Sequence, residues 1–475
     1  MGHDEEDRPP LFWKFRSSNG FIVFSVCFAI FVDVLLYGCI VPYVEIPRFL
    51  YESRVFPFTL EKRSGVPEDQ VQGWLAVLLA VYGLGFSLGS PAFGWLADHY
   101  RNRWYPLMAG LVLLLTGTMM LWFGTMVQFL CLARFIQGLA TACIWSVGLA
   151  LVIDTVGSSN AGESLGLLAA SMSVGFVGAP SLSGFIYDRF GYDAVFLSMV
   201  VMVIFDIVLR ILIIEKKDAV KWILQETDPN DPTRPLLPPN PADGPNFDIQ
   251  IHAHPLITLM SSPRLVTAVF ISFVEAIIMT SFETVLPLHT KETFGYTSTL
   301  AGLCFALVVF GDFFSTYAGR LSDRIGARPC VVTGLIASGT VVFLCGFATG
   351  PSLASQVMLW VLLLGVGLAH CLVFVPTYTE MSLVVEQIER EKPGVFGPYG
   401  AFAQSYGLGN FAYAAGTTVG PLWSGFMRHQ VGWGPIMFAL GVFSILSVIP
   451  SYLFLGEPKA KEQGDEEGQS TTSRI

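Results

Sequence analysis

The stretch GWLADHYRNR at residues 94–103 recurs in the second half of the chain as GRLSDRIGAR at residues 319–328. Both copies hold glycine, leucine, aspartate and arginine at the same relative positions. Each copy also lies between two long apolar runs. An internal repeat of this kind predicts two related halves with a site between them.

The apolar runs around these loops have the length of membrane-spanning helices. Of the 475 residues, 53% are hydrophobic and 13% are charged, and a soluble domain has about 25% charged residues. A helix needs about 20 apolar residues to cross about 30 Å of hydrocarbon. The chain is therefore predicted to be an all-α membrane protein with twelve transmembrane helices in two pseudo-symmetric six-helix bundles. The predicted spans are 21–44, 71–97, 104–124, 126–153, 163–186, 193–214, 264–290, 297–320, 330–349, 353–378, 398–425 and 432–455.

A polar segment separates the sixth span from the seventh. It holds a run of prolines between Pro229 and Pro245, which is too proline-rich for a helix and too poor in apolar residues to pack alone. We therefore predict a flexible linker between the bundles. The predicted organisation is a cytoplasmic tail at 1–20, a bundle at 21–214, the linker at 215–263, a second bundle at 264–455 and a cytoplasmic tail at 456–475.

Basic residues indicate the orientation of the chain. An even number of spans places both termini and the linker on one side, and cations concentrate there, so that side is predicted to be cytoplasmic. The membrane is expected to be the plasma membrane or a vacuolar or vesicular membrane. The cations on this side are Arg8, Lys14, Arg16, Lys216, Lys217, Lys221, Arg234, Arg320, Arg324, Arg328, Lys459 and Lys461.

The remaining composition argues against several other functions. The net charge of −10 comes largely from tails and loops, so no nucleic-acid partner is predicted. The eight cysteines show no metal-ligand spacing, and we expect no metal and no cofactor. No nucleophile motif or nucleotide-binding glycine loop occurs in the polar segments, so an enzyme is the weakest interpretation.

The doubled loop pattern resembles the signature loop of the major facilitator superfamily, which lies between helices 2 and 3 and again between helices 8 and 9. Arg134-Phe-Ile-Gln137-Gly138 resembles a second motif of that family. Residues 175–184 resemble the glycine-proline motif of its proton-coupled antiporters. The resemblance implies a secondary transporter whose partners are the lipid bilayer, protons and a small organic substrate.

A closer resemblance, to the drug:proton antiporters that include the vesicular monoamine and acetylcholine transporters, spans nearly the whole chain. It implies that a small, amphipathic and cationic compound is exchanged for protons. The matching residues are Asp33, Gly178-Ala-Pro180, Asp206, Glu283-Thr-Val-Leu-Pro287 and Tyr399-Gly400.

Three positions depart from that group. The vesicular transporters pair a lysine in helix 2 with an aspartate in helix 11, and Tyr82 and Asn410 stand there in this chain. Because both charges are absent together, no buried ion is left unpaired. In helix 10 the acid is Glu380, away from the position at which the family's acid aligns.

Buried carboxylates are the first candidates for coupling a substrate to protons. Asp33 lies near the middle of an apolar span, where a charge is costly and usually functional; a protonated structural acid is the alternative. Glu275 and Glu283 are two helical turns apart and could face one central cavity. Glu275 could equally serve as a structural hydrogen-bonding group.

Two further polar sites have structural alternatives. Asp206 and Arg210 are four residues apart in one span, so a neutralised ion pair is expected. Arg134 is expected to meet a backbone carbonyl or an acid across its bundle. A proton-relay role for Arg134 follows only from the motif.

The two signature loops are predicted to act as gates. Asp98 and Asp323 lie at cytoplasmic helix ends, where they can accept hydrogen bonds from exposed backbone donors or from nearby arginines and hold the halves together. A plain helix-end charge is the alternative. The gating set is Gly94, Asp98, Arg103, Gly319, Asp323 and Arg328.

A glycine-proline pattern is also shared by spans 5 and 11, where a glycine follows the proline in each copy. Glycines allow close helix contact and prolines bend helices, so these residues are predicted to pack the helices and to seal the cavity against proton leak. They are Gly175, Gly178, Pro180, Gly184, Gly420 and Pro421.

Aromatic side chains could line the cavity and receive an organic cation, although most aromatic residues in membrane helices serve packing. The candidates are Tyr37, Tyr82, Trp145, Phe282, Tyr406 and Tyr413, and His370 and Asp312 are left without an assigned role. The expected function is proton-coupled export of a drug or metabolite by alternating access. A substrate/proton symporter and a non-transporting membrane sensor remain alternatives.

Overall fold

The computed structural model describes residues 9–40, 60, 63–99, 103–216, 218–220, 222, 255–397 and 400–456. Within these residues the secondary structure is helical, with no strand. Eleven helices of this part are long and apolar enough to cross a membrane. The predicted fold class, an all-α membrane protein built from twelve spanning helices, is therefore confirmed.

The first six spanning helices are α1 (Asn19–Ile40), α2 (Glu68–His99), α3 (Trp104–Phe123), α4 (Val127–Val156), α5 (Ala161–Phe190) and α6 (Tyr192–Leu212). The second six are α7 (Pro263–Phe294), α8 (Ser298–Asp312 and Ser315–Ile325), α9 (Ala327–Cys345), α10 (Leu353–Glu391), α11 (Phe402–Val431) and α12 (Trp433–Leu446 and Val448–Phe454). The helix outside the eleven apolar ones is α11, which has ample length but is rich in glycine and small polar residues.

Two predicted spans are interrupted. In α8 the N–H of Phe314 donates to the carbonyl of Gly311 at 3.0 Å, a tight turn that ends the first segment at Asp312. In α12 the break falls at Ser447. An apolar run alone does not reveal the break in α12, because both of its segments are apolar. In α8 the first segment is apolar, and the second carries the polar signature loop.

The two halves use the same turn at one end. A single glycine joins α5 to α6 and another joins α11 to α12, at Gly191 (φ 81°) and Gly432 (φ 78°). Positive φ costs glycine little, whereas other residues avoid it. The chain therefore reverses direction at the same point of each half.

The predicted linker at 215–263 lies mostly outside the described residues, which omit 223–254. Its described ends are ordered: Glu215 is buried, and Pro255–Met260 forms a short helix. In the predicted N-terminal tail, Trp13–Arg16 forms one helical turn, and Trp13 contacts Trp222 with a ring separation of 5.9 Å. The domain boundaries themselves remain a prediction.

The halves meet along two principal helix pairs. α2 packs against α11, and α5 packs against the second segment of α8. These contacts include the end of the bundle that carries the two signature loops, which we call the signature end, and the α2–α11 contact extends from there to Gly83 and Thr418. A continuous hydrophobic core crosses between the halves there and includes Leu35, Leu165, Met381 and Tyr406.

Candidate functional site

The carboxylate of Asp33 lies in the interior of the first half, where its side chain is 3% exposed. Thr141 donates its hydroxyl to Oδ1 at 2.6 Å, and Trp145 donates its indole N–H to Oδ2 at 3.2 Å. Tyr82 lies one step further out, with its hydroxyl 2.9 Å from that of Thr141. Asp33 is therefore held by uncharged groups.

Arg134 lies beside this cluster, among aromatic faces. Its guanidinium is 5.2 Å from the ring centre of Tyr82 and 6.0 Å from that of Tyr37, and it donates to Gln137 at 3.0 Å. Cation–π contacts of this kind stabilise a charge in a dry interior. The contacts of Arg134 with Gln137 and with the two tyrosine rings were not predicted from the sequence.

Glu283 of α7 is half-buried and forms no hydrogen bond or ion pair with another described residue. Its charge lies within electrostatic range of Tyr37 from the first half and Tyr413 from the second. Tyr37 in turn lies 5.0 Å from Tyr82 and 6.3 Å from Phe176, ring centre to ring centre. Aromatic side chains thus lie between the carboxylates of the two halves.

Two of the aromatic candidates serve packing. Phe282 is fully buried and contacts Trp433 edge-on at 6.3 Å. Tyr406 is also fully buried and stacks on Tyr378 at 6.1 Å. The expectation that they line a cavity is wrong, because their rings are enclosed by helix contacts.

Glu275 lies on α7 but does not share the half-exposed position of Glu283. It is buried, with Oε2 3.8 Å from Nε2 of His370, and Nδ1 of His370 is 2.8 Å from Oδ1 of Asp312. Three helices, α7, α8 and α10, contribute one residue each. This triad is a second buried acid cluster, separate from that of Asp33.

Asp98 closes the signature end by capping α11. It accepts hydrogen bonds from the backbone N–H groups of Ala403 at 3.2 Å and Gln404 at 2.8 Å. Arg103 donates to the same carboxylate at 2.7 Å and to Asp154 at 3.0 Å. Burial opposes the charge on Arg103, but the carboxylates of Asp154 and Asp98 outweigh it and hold the pKa of this guanidinium above its usual range.

Asp323 caps α5 in the same way, from the other half. It accepts hydrogen bonds from the backbone N–H groups of Gly162 at 2.8 Å and Glu163 at 3.0 Å. Arg320 adds an exposed ion pair with the Glu163 side chain at 2.7 Å. Each half therefore supplies an aspartate that caps a helix of the other half.

Glycines let these capped helices touch. A Cβ added at Gly94 would lie 2.5 Å from the carbonyl oxygen of Ala403, and one at Gly319 would lie 1.9 Å from that of Gly162. Real Cβ atoms do not approach so closely, so the two motif glycines are required for these helix crossings. The same two crossings carry the two caps.

The family is decided by sequence comparison. The profile of the Major Facilitator Superfamily matches residues 26–405 and, in a second match, residues 313–474. A transporter of Schizosaccharomyces pombe, named as an uncharacterised member of the same type, is 32% identical over 433 residues, covering 88% of this chain and 92% of that protein. The chain belongs to the Major Facilitator Superfamily.

More distant matches agree with this membership. The human synaptic vesicular amine transporter is 22% identical over 362 residues, which cover 75% of this chain and 62% of that protein. The crystal structure of the human organic anion transporter MFSD10 superposes with a TM-score of 0.65 at 16% identity, covering 91% of this chain and 99% of that one. The fold is that of a superfamily transporter, and these relatives are transporters rather than enzymes.

Several residues proposed from the superfamily's motifs lie elsewhere than expected. Asp206 and Arg210 form no ion pair with each other. Arg210 instead contacts Glu215 at 3.5 Å, and Oδ2 of Asp206 has no hydrogen-bond partner in the described part of the chain. Spacing of four residues permits a pair, but Glu215, just beyond the helix, meets the arginine first.

Glu380 is fully buried in a network at the signature end, away from the central cluster. It pairs with Arg264 at the start of α7 and accepts the backbone N–H of Gly456 at 2.6 Å. Arg264 also donates to Gln387 at 2.6 Å. The contacts show Glu380 as a link between α7, α10 and the end of α12. A role for Glu380 in substrate or proton coupling stays a prediction.

Tyr82 and Asn410, which replace the charged pair of the vesicular transporters, have separate partners. Asn410 accepts from Tyr378 at 3.0 Å and donates to Ser146 of the other half at 3.3 Å. Tyr82 belongs to the Asp33 cluster. The two residues therefore connect helices through neutral hydrogen bonds.

The packing glycines divide into two groups. A Cβ at Gly175 would lie 3.0 Å from the carbonyl oxygen of Phe31, and one at Gly420 would lie 2.3 Å from the hydroxyl of Thr280. Among the described residues, no atom would lie within 4 Å of a Cβ at Gly178 or Gly184, so this part of the chain makes no close contact at these two positions. The Pro180 side chain lies outside the described residues, and Pro421 lies within the continuous helix α11.

Sequence reasoning missed the donors that hold the first cluster in place. Gln137, Thr141 and Trp145 recur every fourth residue along α4, so they share one face. That polar stripe in an otherwise apolar helix was the available signal. Arg264 and Asp154 gave no such signal, because their partners Glu380 and Arg103 lie far away in the sequence.

Proposed function

We propose that this superfamily member is a proton-coupled transporter that exports small organic compounds, drugs or metabolites of cationic character, by alternating access. The observation that carries the proposal is the Asp33 cluster. The hydroxyl and the indole N–H that hold this buried carboxylate supply no compensating positive charge when it is ionised. The carboxylate is stabilised by binding either a proton or a cation.

Because the proton and the cationic substrate replace each other at Asp33, the flux of one is coupled to the flux of the other. When a cationic substrate approaches, the ionised form of Asp33 is favoured and its proton leaves; when the substrate departs, protonation restores a neutral site. Antiport requires that the proton and the substrate bind to the site alternately. A single carboxylate in a dry cluster satisfies that requirement.

The second half supplies a complementary contact. Glu283 is half-buried and has no partner among the described residues, and the rings of Tyr37 and Tyr413 lie within range of its charge. A carboxylate with nearby aromatic faces suits an ammonium group, which it attracts by charge and by cation–π contact. Because both halves contribute residues to this site, the geometry of the site changes when the halves rock against each other.

The paired caps support alternating access. Asp98 and Asp323 hold the signature end closed, and the positive-inside rule assigns that end to the cytoplasm. The proposed orientation therefore has both termini cytoplasmic, in the plasma membrane or a vacuolar or vesicular membrane. Opening requires breaking both caps, since each crosses between the halves.

Proton movement in proteoliposomes tests the proposal. Internal pH is recorded while a panel of organic cations and neutral metabolites is added to wild-type protein, to Asp33→Asn and to the control Asp193→Asn, which removes an exposed carboxylate at the start of α6. We expect substrate entry to drive proton exit in the wild type and the control, and to fall to the protein-free background in Asp33→Asn.

Other outcomes separate the alternatives. Proton movement in the same direction as substrate would establish symport. Substrate binding without any flux would favour a sensor. Undiminished exchange in Asp33→Asn would remove Asp33 from the coupling mechanism.

A further inference from the structure

The triad inside the second half has the composition of a proton-binding site. His370 of α10 lies between two carboxylates, with Nδ1 2.8 Å from Asp312 of α8 and Nε2 3.8 Å from Glu275 of α7. The exposed fractions of Asp312, His370 and Glu275 are 7%, 3% and 1%. The residues of this part of the chain are not arranged to hold a metal ion, so the triad calls for another explanation.

The two ends of the triad differ. At the Asp312 end, Nδ1 of His370 and Oδ1 of Asp312 are within hydrogen-bond distance. In the carboxylate form Asp312 can only accept, so this geometry assigns the donor to Nδ1–H. At the Glu275 end, neither carboxylate oxygen nor Nε2 has a hydrogen-bond partner among the residues described. Buried polar atoms are normally satisfied, so this end is the reactive one.

Charge decides what the open end binds. With a neutral imidazole and two ionised acids, the triad carries two negative charges in a medium that solvates neither. One proton on Nε2 converts the ring to imidazolium, which faces both carboxylates and leaves a single net charge. Asp312 fixes the ring orientation that presents Nε2 to Glu275, as a carboxylate bonded to histidine commonly does.

The backbone holds one arm of the triad rigid. A Cβ at Gly311 would lie 2.2 Å from the carbonyl carbon of Gly367, so α8 and α10 touch beside Asp312 and His370. The His370 ring also stacks on Phe374 at 5.4 Å. Because α8 is interrupted directly after Asp312, this arm lies at a helix break, a feature that often lines ion sites in transporters.

Other titratable groups face the triad from the neighbouring helices. Tyr413 of α11 is within electrostatic range of Glu275, Asp312 and Glu283. On α10, Cys371 is within range of Asp312. Tyr413 is thus within electrostatic range of both the triad and the half-buried Glu283.

We propose that Glu275, His370 and Asp312 form a proton-binding site of the second half, in addition to Asp33, with Asp312 as the positioning residue and Nε2 of His370 as the acceptor. On loading, the Nε2 lone pair takes one proton from water and the imidazolium pairs with Glu275; on release, the proton returns to water. As a coupling site it rests on the proton-coupled transport proposed above.

Infrared spectroscopy during a pH titration tests proton binding without any substrate. The probe is the proton itself, applied to the full-length protein in lipid, and the spectrum of His370→Gln is subtracted from that of the wild type. We expect a titrating imidazole signal in this difference. Glu275→Gln should change the proton affinity of that signal by about tenfold or more, because the ring loses a charged partner.

Two further variants keep the test decisive. Asp312→Asn should also shift the imidazole titration, and this variant replaces His370→Gln in the comparison if His370→Gln does not fold. Glu386→Gln, a half-buried acid on the same helix outside the triad, should leave the titration unchanged. The proposal is overturned if no imidazole titrates in the difference, or if Glu275→Gln and Asp312→Asn both leave its midpoint at the wild-type pH.

Transport separates this proposal from the one it rests on. In proteoliposomes the number of protons moved per substrate should fall by about one in Glu275→Gln while Asp33 is intact. If the wild type moves no protons, the proposed function fails and the infrared titration still decides the site. If proton movement needs Asp33 but is the same in Glu275→Gln and His370→Gln, and their infrared titrations also match the wild type, the second site alone is overturned.

Discussion

The two signature loops share a sequence pattern but differ in their surroundings. Asp98 is buried and forms an ion pair with Arg103, which also pairs with Asp154. Asp323 is half-buried and accepts hydrogen bonds only from backbone N–H groups. The arginine of its loop, Arg328, instead lies 4.5 Å above the ring of Tyr452. The repeat therefore preserves the helix cap in both halves and places a buried charge network in only one.

This difference ranks the two gates by strength. A buried ion pair is costly to break because the remaining charge is left uncompensated, whereas an exposed ion pair contributes little. The gate built on the first loop should hold the signature end closed more firmly. The first-loop gate is thus expected to dominate the energy of opening.

The largest effect is expected for Asp98→Asn. It removes the charge that strengthens both hydrogen bonds of this cap and leaves the guanidinium of Arg103 with the carboxylate of Asp154, which should cost the closed state about 3 kcal/mol. A maleimide that cannot cross membranes should then label Ser90→Cys, placed at the buried crossing of α2 and α11, on the order of a hundredfold faster.

Asp323→Asn is the matched control for that comparison. It removes a half-buried cap without exposing a buried arginine, so labelling should accelerate by about tenfold or less, equivalent to about 1 kcal/mol. Equal acceleration in the two variants would show that the buried network adds nothing to the gate.

An intermediate effect is expected for Gly319→Ala. The new Cβ would lie 1.9 Å from the carbonyl oxygen of Gly162, so α5 and α8 must separate, at a cost of about 1–3 kcal/mol. Labelling of Ser315→Cys at that crossing is the measurement. Gly178→Ala adds the same methyl group where no atom of the described residues lies within 4 Å, and it should leave the labelling rate unchanged.

The smallest effect is expected for Arg320→Gln. Its ion pair with Glu163 is exposed and screened by salt, so labelling at Ser315→Cys should change measurably only at low ionic strength. A large change at high ionic strength would mean that the surface pair, rather than the Asp323 cap, closes this crossing.

Much of the fold could be predicted because membrane spans follow directly from apolar length. The breaks in α8 and α12 could not, since they depend on local hydrogen bonding. The prediction of an Asp206–Arg210 ion pair was wrong because helical spacing does not reveal a competing carboxylate such as Glu215. Among the candidate residues, Asp33 stood out as a charge in an apolar run, but its partners lie on another helix.

The triad illustrates the same limit. His370 and Asp312 are 58 residues apart in sequence, and nothing in their local patterns links them to Glu275. Only the crossing of three helices brings them together. A single sequence reveals charged residues that are costly to bury in the membrane, but it does not reveal the tertiary contacts that explain them.

The glycine crossings at Gly94 and Gly319 bring backbone against backbone, which leaves no room for water between the helices. Opening the signature end must therefore admit solvent to the carboxylates of Asp98 and Asp323 and to the amides they cap. In the proposed alternating-access cycle, these two small interfaces are wetted and dried in turn. Osmolytes that are excluded from protein surfaces should slow the wetting step, which makes transport by this protein sensitive to osmotic stress.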